Sequence, residues 1–502
     1  MKLYRSHLWD CIEKHAASDP DSICIVPSRG HAISFKQLIQ KVHEFACSYM
    51  NQDISDQSRI LLLIPPSTDF LIAFLALERI GATIVLADVA MGNALFESRV
   101  RMADITHIVT TQTIRFILQS RILSTVLRFL KIPVPIFSDS RTPIIAANTR
   151  EQTHPMLEKE ESVDPEKEFL IIFTSGTTSE PKGVMHTYQS MTENFQRMMT
   201  LLQERGARVI CSSQPYILLP ALAIGGTALL PRYTDKPKGL LKTMIQHQVD
   251  TVFMLPTDLK NFIFFLQQTG QKFPRFLRNI AVGSAPVYAS FLRKIQDMIP
   301  SSVSVWCIYG LTEILPVSMV EMREKIRWQE PGDFIGAPLP GITASVADDG
   351  ELLLKGKGLY SRYLGQAACS GLATGDLCKI VKGNIILLGR KKDMIIRREY
   401  NIYPALYEPT ILQIPGVRDC ALIGIYNDTK EDEEVVLVVV PEQWEDRDRI
   451  AAVVKRELAN GNNAIDAQAL PDRIERLFSL PVSGRSKKVD KRALRSTLTR
   501  SA

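Results

Sequence analysis

Residues 169–183 read F-L-I-I-F-T-S-G-T-T-S-E-P-K-G, and the fold turns on how this stretch is read. Phe169 through Phe173 are apolar without a break, as a buried strand is. They run directly into Thr174, Ser175, Gly176, Thr177 and Thr178, then on to Lys182 and Gly183. A loop of small hydroxyl residues around a glycine can wrap backbone N–H groups and hydroxyls around a polyphosphate. Lys182 adds a mobile positive charge. The spacing is not G-x-x-x-x-G-K-[ST], so the ordinary P-loop reading does not apply. The plainer alternative is a Ser/Thr/Gly turn after a core strand, and the rest of the chain has to decide.

Upstream, residues 1–165 alternate helical and strand patterns. Stretches 7–15 and 34–50 carry apolar residues on one helical face, the second with Ser34 as N-cap. Residues 59–64 form a short apolar run ended by Pro65 and Pro66; 69–80 read as a helix closed by Gly81, and 82–86 as the next strand. That βαβ rhythm predicts a parallel sheet covered on both faces. The polar, acidic stretch 139–168 predicts a surface connection. Downstream the rhythm resumes, with helices over 189–202 and 239–247 and strands over 207–213, 251–255, 280–283 and 304–308. The last two strands end in G-S-A-P (Gly283, Ser284, Ala285, Pro286) and Y-G-L-T-E (Tyr309, Gly310, Leu311, Thr312, Glu313). Strand ends of this kind are where an α/β sheet places its ligands.

From about residue 345 the texture changes to short strands with an Asp349-Gly350 hairpin signal. Residues 392–502 read as a compact α+β segment, with strands over 418–426 and 434–441 and a helix over 450–458. Its end, 484–500, sets seven Lys or Arg against one Asp, a solvated face unless one lysine has a defined role.

The 502 residues suffice for about three units of ordinary domain size, and the composition, 45% hydrophobic and 23% charged, is that of a folded globular protein. A net charge of +6 suits anionic small molecules and is too dilute to argue for nucleic acid. Eight cysteines lie scattered without a C-x-x-C pair, and Cys24, Cys307 and Cys420 stand in apolar surroundings. Thiols in a reducing compartment are expected, without structural zinc. The start lacks the apolar stretch of a secretory signal, and the longest apolar runs are too short or too broken for an integral membrane segment. These features predict a cytoplasmic protein.

Together the motifs resemble those of the adenylate-forming (AMP-binding) superfamily of acyl-CoA synthetases, adenylation domains and luciferases, from about residue 10 to 496. T-S-G-T-T-S-E-P-K-G resembles the family's phosphate loop, G-S-A-P its adenine-side segment, and Y-G-L-T-E its adenine and magnesium motif. T-G-D at 374–376 resembles the ribose motif, and G-R-K-K-D at 389–393 the hinge. N-I-Y-P at 401–404 and S-K-K-V-D-K-R-A-L at 486–494 follow in family order. The resemblance implies an α/β fold: a large N-terminal domain of layered sheets with a β-rich part, residues 1–390, then a small mobile α+β domain, 391–502. It also implies a ligase that uses ATP to turn a carboxylic acid into an acyl-adenylate, releases pyrophosphate and passes the acyl group to coenzyme A.

The residue roles are carried over with the motifs. Thr174, Ser175, Gly176, Thr177, Thr178 and Lys182 would hold the β- and γ-phosphates. Gly283, Ser284, Ala285 and Pro286 would read the adenine edge, with Tyr309 stacked on the ring and Gly310 beside it. Thr312 would bond the α-phosphate, and Glu313 would hold Mg²⁺, which prefers carboxylate and phosphate oxygens. Asp376 would accept from the ribose hydroxyls with Arg390 assisting. Lys488 would bridge the acyl carboxylate and the α-phosphate, with Lys487 the neighbouring alternative. Lys392 would be the hinge. Taken singly, Asp376 is also a turn cap, Glu313 a helix-start acid and Lys488 a tail lysine in solvent.

Three positions depart from the family pattern. Ser179 replaces a glycine of the phosphate loop. Glu399 replaces a glycine of the loop after the hinge, so that Arg397, Arg398 and Glu399 either crowd the pantetheine tunnel or bind coenzyme A phosphates. In Q-P-Y-I-L-L-P-A-L, 214–222, Ile217 and Leu218 replace an aromatic–histidine gate. That apolar wall predicts an aliphatic acyl tail, or is simply core. Competing outcomes are closure of a β-hydroxy acid to a β-lactone, transfer to carrier-protein pantetheine or another acceptor, and a nucleotide-binding regulator without turnover.

Overall fold

The computed structural model describes residues 2–27, 30–87, 93–120, 142–147, 159–173, 182–231, 236–397, 400–427, 432–459, 465–483 and 488–499. By packing they fall into two units. One comprises Met1–Ala281, Gly310–Val317 and Gly356–Ser370; the other Val282–Tyr309, Ser318–Lys355 and Gly371–Ala502.

In the first unit the stretch 169–173 is part of strand Glu168–Phe173, and its interior is buried as its composition requires. It pairs in parallel with Thr83–Leu86, Val85 opposite Ile171, and antiparallel with Gly183–Thr187. The seven-stranded sheet runs in the order Arg362–Tyr363, Gly183–Thr187, Glu168–Phe173, Thr83–Leu86, Arg59–Leu63, His107–Thr110, Ile144–Ala146. From Glu168–Phe173 to Ile144–Ala146 every pairing is parallel, as the βαβ rhythm predicted. A second set of strands, Thr251–Met254, Val209–Cys211, Thr227–Leu229 and Ile23–Val26, is also parallel and closes on the antiparallel Ile33–Ser34.

The helices start and stop where their caps stand. Ser34 and Gln37 form a capping box at the head of helix Phe35–Met50. Ser67 caps helix Thr68–Ile80, and Gly81 ends it in the left-handed conformation at φ +81°. A Cβ on Gly81 would come within 2.6 Å of the Tyr4 ring, so glycine is needed for space as well as for geometry. This helix is buried from Phe70 through Ile80, including Glu78 and Arg79. Glu78 accepts from the Ser6 hydroxyl, while Arg79 donates to the Tyr4 carbonyl and pairs with Glu160. Helices His7–Ser18, Phe35–Met50, Thr68–Ile80, Tyr188–Glu204 and Pro215–Ala223 share one apolar core. Leu218, Leu219 and Leu222 belong to it, so the apolar stretch 214–222 is in large part packing.

In the second unit a five-stranded sheet runs in the order Asp333–Gly336, Asn384–Arg390, Leu372–Val381, Glu351–Gly356, Ile342–Val346. The predicted hairpin turn is present: Gly350 has φ +84°, and the Ala347 N–H donates to the Glu351 carbonyl at 2.9 Å. Further along, Val417–Asn427 pairs antiparallel with Asp432–Pro441, which pairs in parallel with Arg473–Arg476. Apolar clusters pack on both faces of this sheet. The basic end is not merely a solvated face. Helix Lys491–Thr499 buries Leu494 and Leu498, and Lys491 donates to Glu408 Oε1 at 2.6 Å and to the Leu422 carbonyl at 3.2 Å.

None of the eight cysteines forms a disulfide, and burial pushes the Cys24 and Cys307 thiols up to about 12. Among the described residues no helix is long and apolar enough to cross a membrane.

Candidate active site

The candidate residues of the second unit gather around one carboxylate. Strands Leu372–Val381 and Asn384–Arg390 are antiparallel with Asp376 directly opposite Arg390, and a register shift between Leu377 and Cys378 follows this pair. Cross-strand pairing at this separation lets opposite charges meet, and Arg390 Nε lies 2.5 Å from Asp376 Oδ1. Tyr309 donates its phenolic O–H to Asp376 Oδ2 at 2.6 Å. The turn before Asp376 is built for its sequence. Thr374 donates to the Leu352 carbonyl, Gly375 takes φ +73° while its N–H donates to Glu351 Oε1 at 2.7 Å, and the Asp376 N–H returns to the Thr374 hydroxyl.

Burial pushes the Asp376 carboxyl above its ordinary range, and Arg390, Tyr309, Lys488 and Lys392 pull it down. Lys488 and Lys392 therefore stand close enough for their charges to act on Asp376. Lys488 is exposed on the short strand Lys488–Val489, opposite Ser483. Lys392 lies in the turn Lys391–Asp393, where burial lowers its ammonium. Burial, and then Asp376, hold the Tyr309 phenol well above its usual value. Three expected site residues, Tyr309, Asp376 and Arg390, are thus in direct contact, and the charges of Lys392 and Lys488 act on the same carboxylate. In the same unit Gly283 lets two backbones meet, since a Cβ there would lie 2.8 Å from the Ile308 carbonyl, and Ser284 follows at φ +65°.

The first unit holds a second cluster. Thr312 and Glu313 occupy the turn between strands Ser304–Leu311 and Ile314–Glu321, a hairpin and not a helix start. Tyr363 donates to Glu313 Oε1 at 2.8 Å, and the Lys182 ammonium lies over the same ring, 4.8 Å from its centroid. The Tyr360 N–H donates to the Glu313 carbonyl at 2.8 Å. Glu313 is a hard, half-buried oxygen donor of the kind Mg²⁺ takes. Among the described residues no three His, Cys, Asp or Glu are grouped to hold a metal. That donor set fits a dication completed by phosphate oxygens. Thr174, Ser175, Gly176, Thr177, Thr178, Ser179, Arg398, Glu399 and Lys487 lie outside the described residues. Arg397 is committed elsewhere, donating to the Gln468 and Leu470 carbonyls and to Asp472 Oδ1 at 2.7 Å.

Tyr363 and His186 lie outside the sequence motifs, the first of which ends at Gly183. His186 is buried beneath Thr312, and burial pulls its imidazole down to about 4 against the opposing pull of the Thr312 carbonyl. A carbonyl only accepts, so Nε2 carries the proton and donates to Thr312 O at 2.8 Å, while Nδ1 faces the Ser190 hydroxyl at 3.1 Å. The unfolded imidazole titrates near 6.5 and the native one near 4. Between those values only the unfolded chain takes up the proton, so this residue makes stability fall as pH falls, by up to about 3 kcal/mol. Glu78, pushed up to about 7 chiefly by burial, acts in the opposite sense between 4.5 and 7. Subtracting the urea-unfolding profile of His186→Gln from that of the wild type isolates the histidine. The wild type is expected to gain on the variant as pH rises from 4 to 6.5; a flat difference contradicts a buried neutral imidazole.

Among the described residues, the α/β fold, the hairpin carboxylate Glu313 and the Tyr309–Asp376–Arg390 cluster accord with a nucleotide-using ligase. The family model for AMP-binding enzymes matches residues 12–364, and the chain belongs to that family. A feruloyl-CoA synthase from Amycolatopsis is 28% identical over 63% of this chain and 67% of its own. A ligase from Rhodococcus jostii that joins 3-[(3aS,4S,7aS)-7a-methyl-1,5-dioxo-octahydro-1H-inden-4-yl]propanoate to CoA is 23% identical over 89% of this chain and 92% of its own. The amide bond synthetase McbA from Marinactinospora thermotolerans has a similar fold, with TM-score 0.77, 21% identity and coverage of 98% of this chain and 99% of its own.

Proposed function

We propose that the protein activates a carboxylic acid with ATP and passes the acyl group to coenzyme A. The observation that carries this reading is the cluster at Asp376, where one buried carboxylate is met by Tyr309 and Arg390 and acted on by the charges of Lys392 and Lys488. A carboxylate amid donors suits a ribose diol, and mobile cations suit phosphate and acyl oxygens.

In the first step a carboxylate oxygen of the acid attacks the α-phosphorus, the bond to the β-phosphate breaks, and pyrophosphate leaves. The residues' work is positioning and offsetting charge. Thr174–Thr178 and Lys182 hold the outgoing phosphates, Thr312 the α-phosphate, and Lys488 the acid together with the α-phosphate. His186 sets the Thr312 backbone. Mg²⁺ would be held by Glu313 with phosphate oxygens, where it supplies neutralising charge. Tyr309, Gly310 and 283–286 take adenine; Asp376 and Arg390 take ribose. In the second step the coenzyme A thiolate attacks the acyl carbon and AMP leaves. Between the steps 391–502 turns against 1–390 about Lys392. An aliphatic tail rests only on the 214–222 stretch, much of which is core.

Purified protein with ATP, Mg²⁺ and a broad acid panel is expected to release pyrophosphate only with acid. Acid-independent release, or none across the panel, sinks the proposal. Adding coenzyme A is expected to yield a thioester. AMP release that ignores coenzyme A and requires a β-hydroxyl supports lactone closure instead, and release that needs a pantetheinylated carrier or an amine names another acceptor. Lys392→Pro fixes φ at the pivot and is expected to slow the thioester step by a much larger factor than pyrophosphate release, which loses only the charge of Lys392 near Asp376.

A further inference from the structure

Helix Tyr188–Glu204 buries a guanidinium that nothing in the proposed chemistry uses. Arg197 is 7% exposed. Its Nη2 donates to Asn194 Oδ1 at 2.5 Å, and among the described residues its Nε and Nη1 find no acceptor. Asn194 is fully engaged: its Nδ2 donates to the Gly358 carbonyl at 3.0 Å, and its Oδ1 also receives the Leu315 N–H at 3.3 Å. Leu315 follows Glu313 by two residues, so the arginine is tied to the segment carrying Thr312 and Glu313. The chain makes room for it. A Cβ on Gly358 would lie 1.9 Å from Arg197 Nη2 and 2.6 Å from Asn194 Oδ1, so only glycine admits the guanidinium there.

Burial works against the Arg197 charge, and the Glu193 carboxylate favours it from a distance without a hydrogen bond. A buried cation with idle donors is a standing cost to the fold. A methionine of similar length would fill the site more cheaply, which points to a ligand that supplies the missing acceptors.

We propose that Arg197 is a specificity determinant that binds a second carboxylate on the acid substrate, so that the preferred substrates are dicarboxylic acids. The inference rests on the acid-activating reading. A guanidinium offers planar donors matched to a carboxylate and cannot lose its proton. A site built to pair a charged group rejects the analogue lacking that group far more strongly than an apolar pocket rejects a missing methylene.

The test uses the full chain, with α,ω-dicarboxylates from succinate to sebacate set against monocarboxylates of equal length. Pyrophosphate release is measured for wild type, Arg197→Met and Arg197→Lys, with melting temperatures taken without ligand. The wild type is expected to favour its best dicarboxylate over the matched monocarboxylate by at least about tenfold in kcat/KM. Arg197→Met should level or reverse that ratio through KM, and Arg197→Lys should restore part of it. Arg197→Met should melt no lower than wild type, because among the described residues the buried charge it removes finds only one acceptor, the neutral Asn194 Oδ1. A wild-type preference for monocarboxylates, a ratio unchanged in Arg197→Met, or a lower melting temperature with equal loss on all acids overturns the proposal, the last by making Arg197 structural. If no acid of either kind releases pyrophosphate, the acid-activating reading falls by itself. Arg197 is then judged by thermal shift: stabilisation of wild type but not Arg197→Met by a dicarboxylate supports the subsite, and equal shifts reject it.

Discussion

Replacing Lys488 with alanine is expected to reduce acid-dependent pyrophosphate release by about a hundredfold to a thousandfold in kcat, the usual cost of removing one preorganised charge from a reacting oxygen. ATP binding should survive, because Lys488 is exposed on its short strand and supports no core. The charge of Lys488 acts on Asp376, the centre of the proposed nucleotide cluster. A Lys487→Ala control is expected to be nearly silent. Unchanged turnover in Lys488→Ala, with loss in Lys487→Ala, would shift the role by one residue.

Asp376→Asn is expected to raise the dissociation constant for ATP by about a hundredfold or more, since two hydrogen bonds to a charged acceptor contribute roughly 1.5–3 kcal/mol each. The fold should change little. Asparagine keeps an oxygen for the Tyr309 hydroxyl, and Arg390 has 38% of its side chain in solvent to fall back on. The split between affinity and melting temperature is the informative result. A large fall in melting temperature with unchanged ATP affinity would make Asp376 a structural partner of Tyr309 and Arg390 and nothing more.

The parallel sheet of the first unit was legible in part, because stretches such as 59–64, 82–86 and 169–173 are unbroken apolar runs. The strand Ile144–Ala146 was not, because it is three residues long within the stretch 139–168 that reads as a surface connection. The helices were legible because their caps are local. Ser34 with Gln37 and Ser67 with Gly81 mark helix ends within a few residues. Boundaries moved by a few residues, as when the helix expected over 7–15 continues three residues further to Ser18. The Asp376–Arg390 pair was legible as two motifs but not as a contact. It depends on strand register, and an irregularity between Leu377 and Cys378 defeats counting. Tyr363 and His186 were invisible for a related reason. They meet Glu313 and Thr312 across 50 and 126 residues, and no local spacing encodes that. The 214–222 stretch was ambiguous because a core helix and a pocket wall have the same composition. In the sequence Arg197 is one arginine of an amphipathic helix; only the fold shows that, among the described residues, its Nε and Nη1 have no acceptor.

The anchoring of Lys491 to Glu408 and the Leu422 carbonyl has a mechanical consequence for the residue three places before it. Three residues span at most about 10 Å, so Lys488 works on a short leash. Its reach is set less by its own flexible side chain than by where the sheet of Val417–Asn427 happens to be. Whatever carries that sheet carries the lysine with it. Cutting the anchor, as Glu408→Gln would by removing the paired charge, should free the leash and blur the lysine's aim while every proposed ligand-contacting residue stays in place.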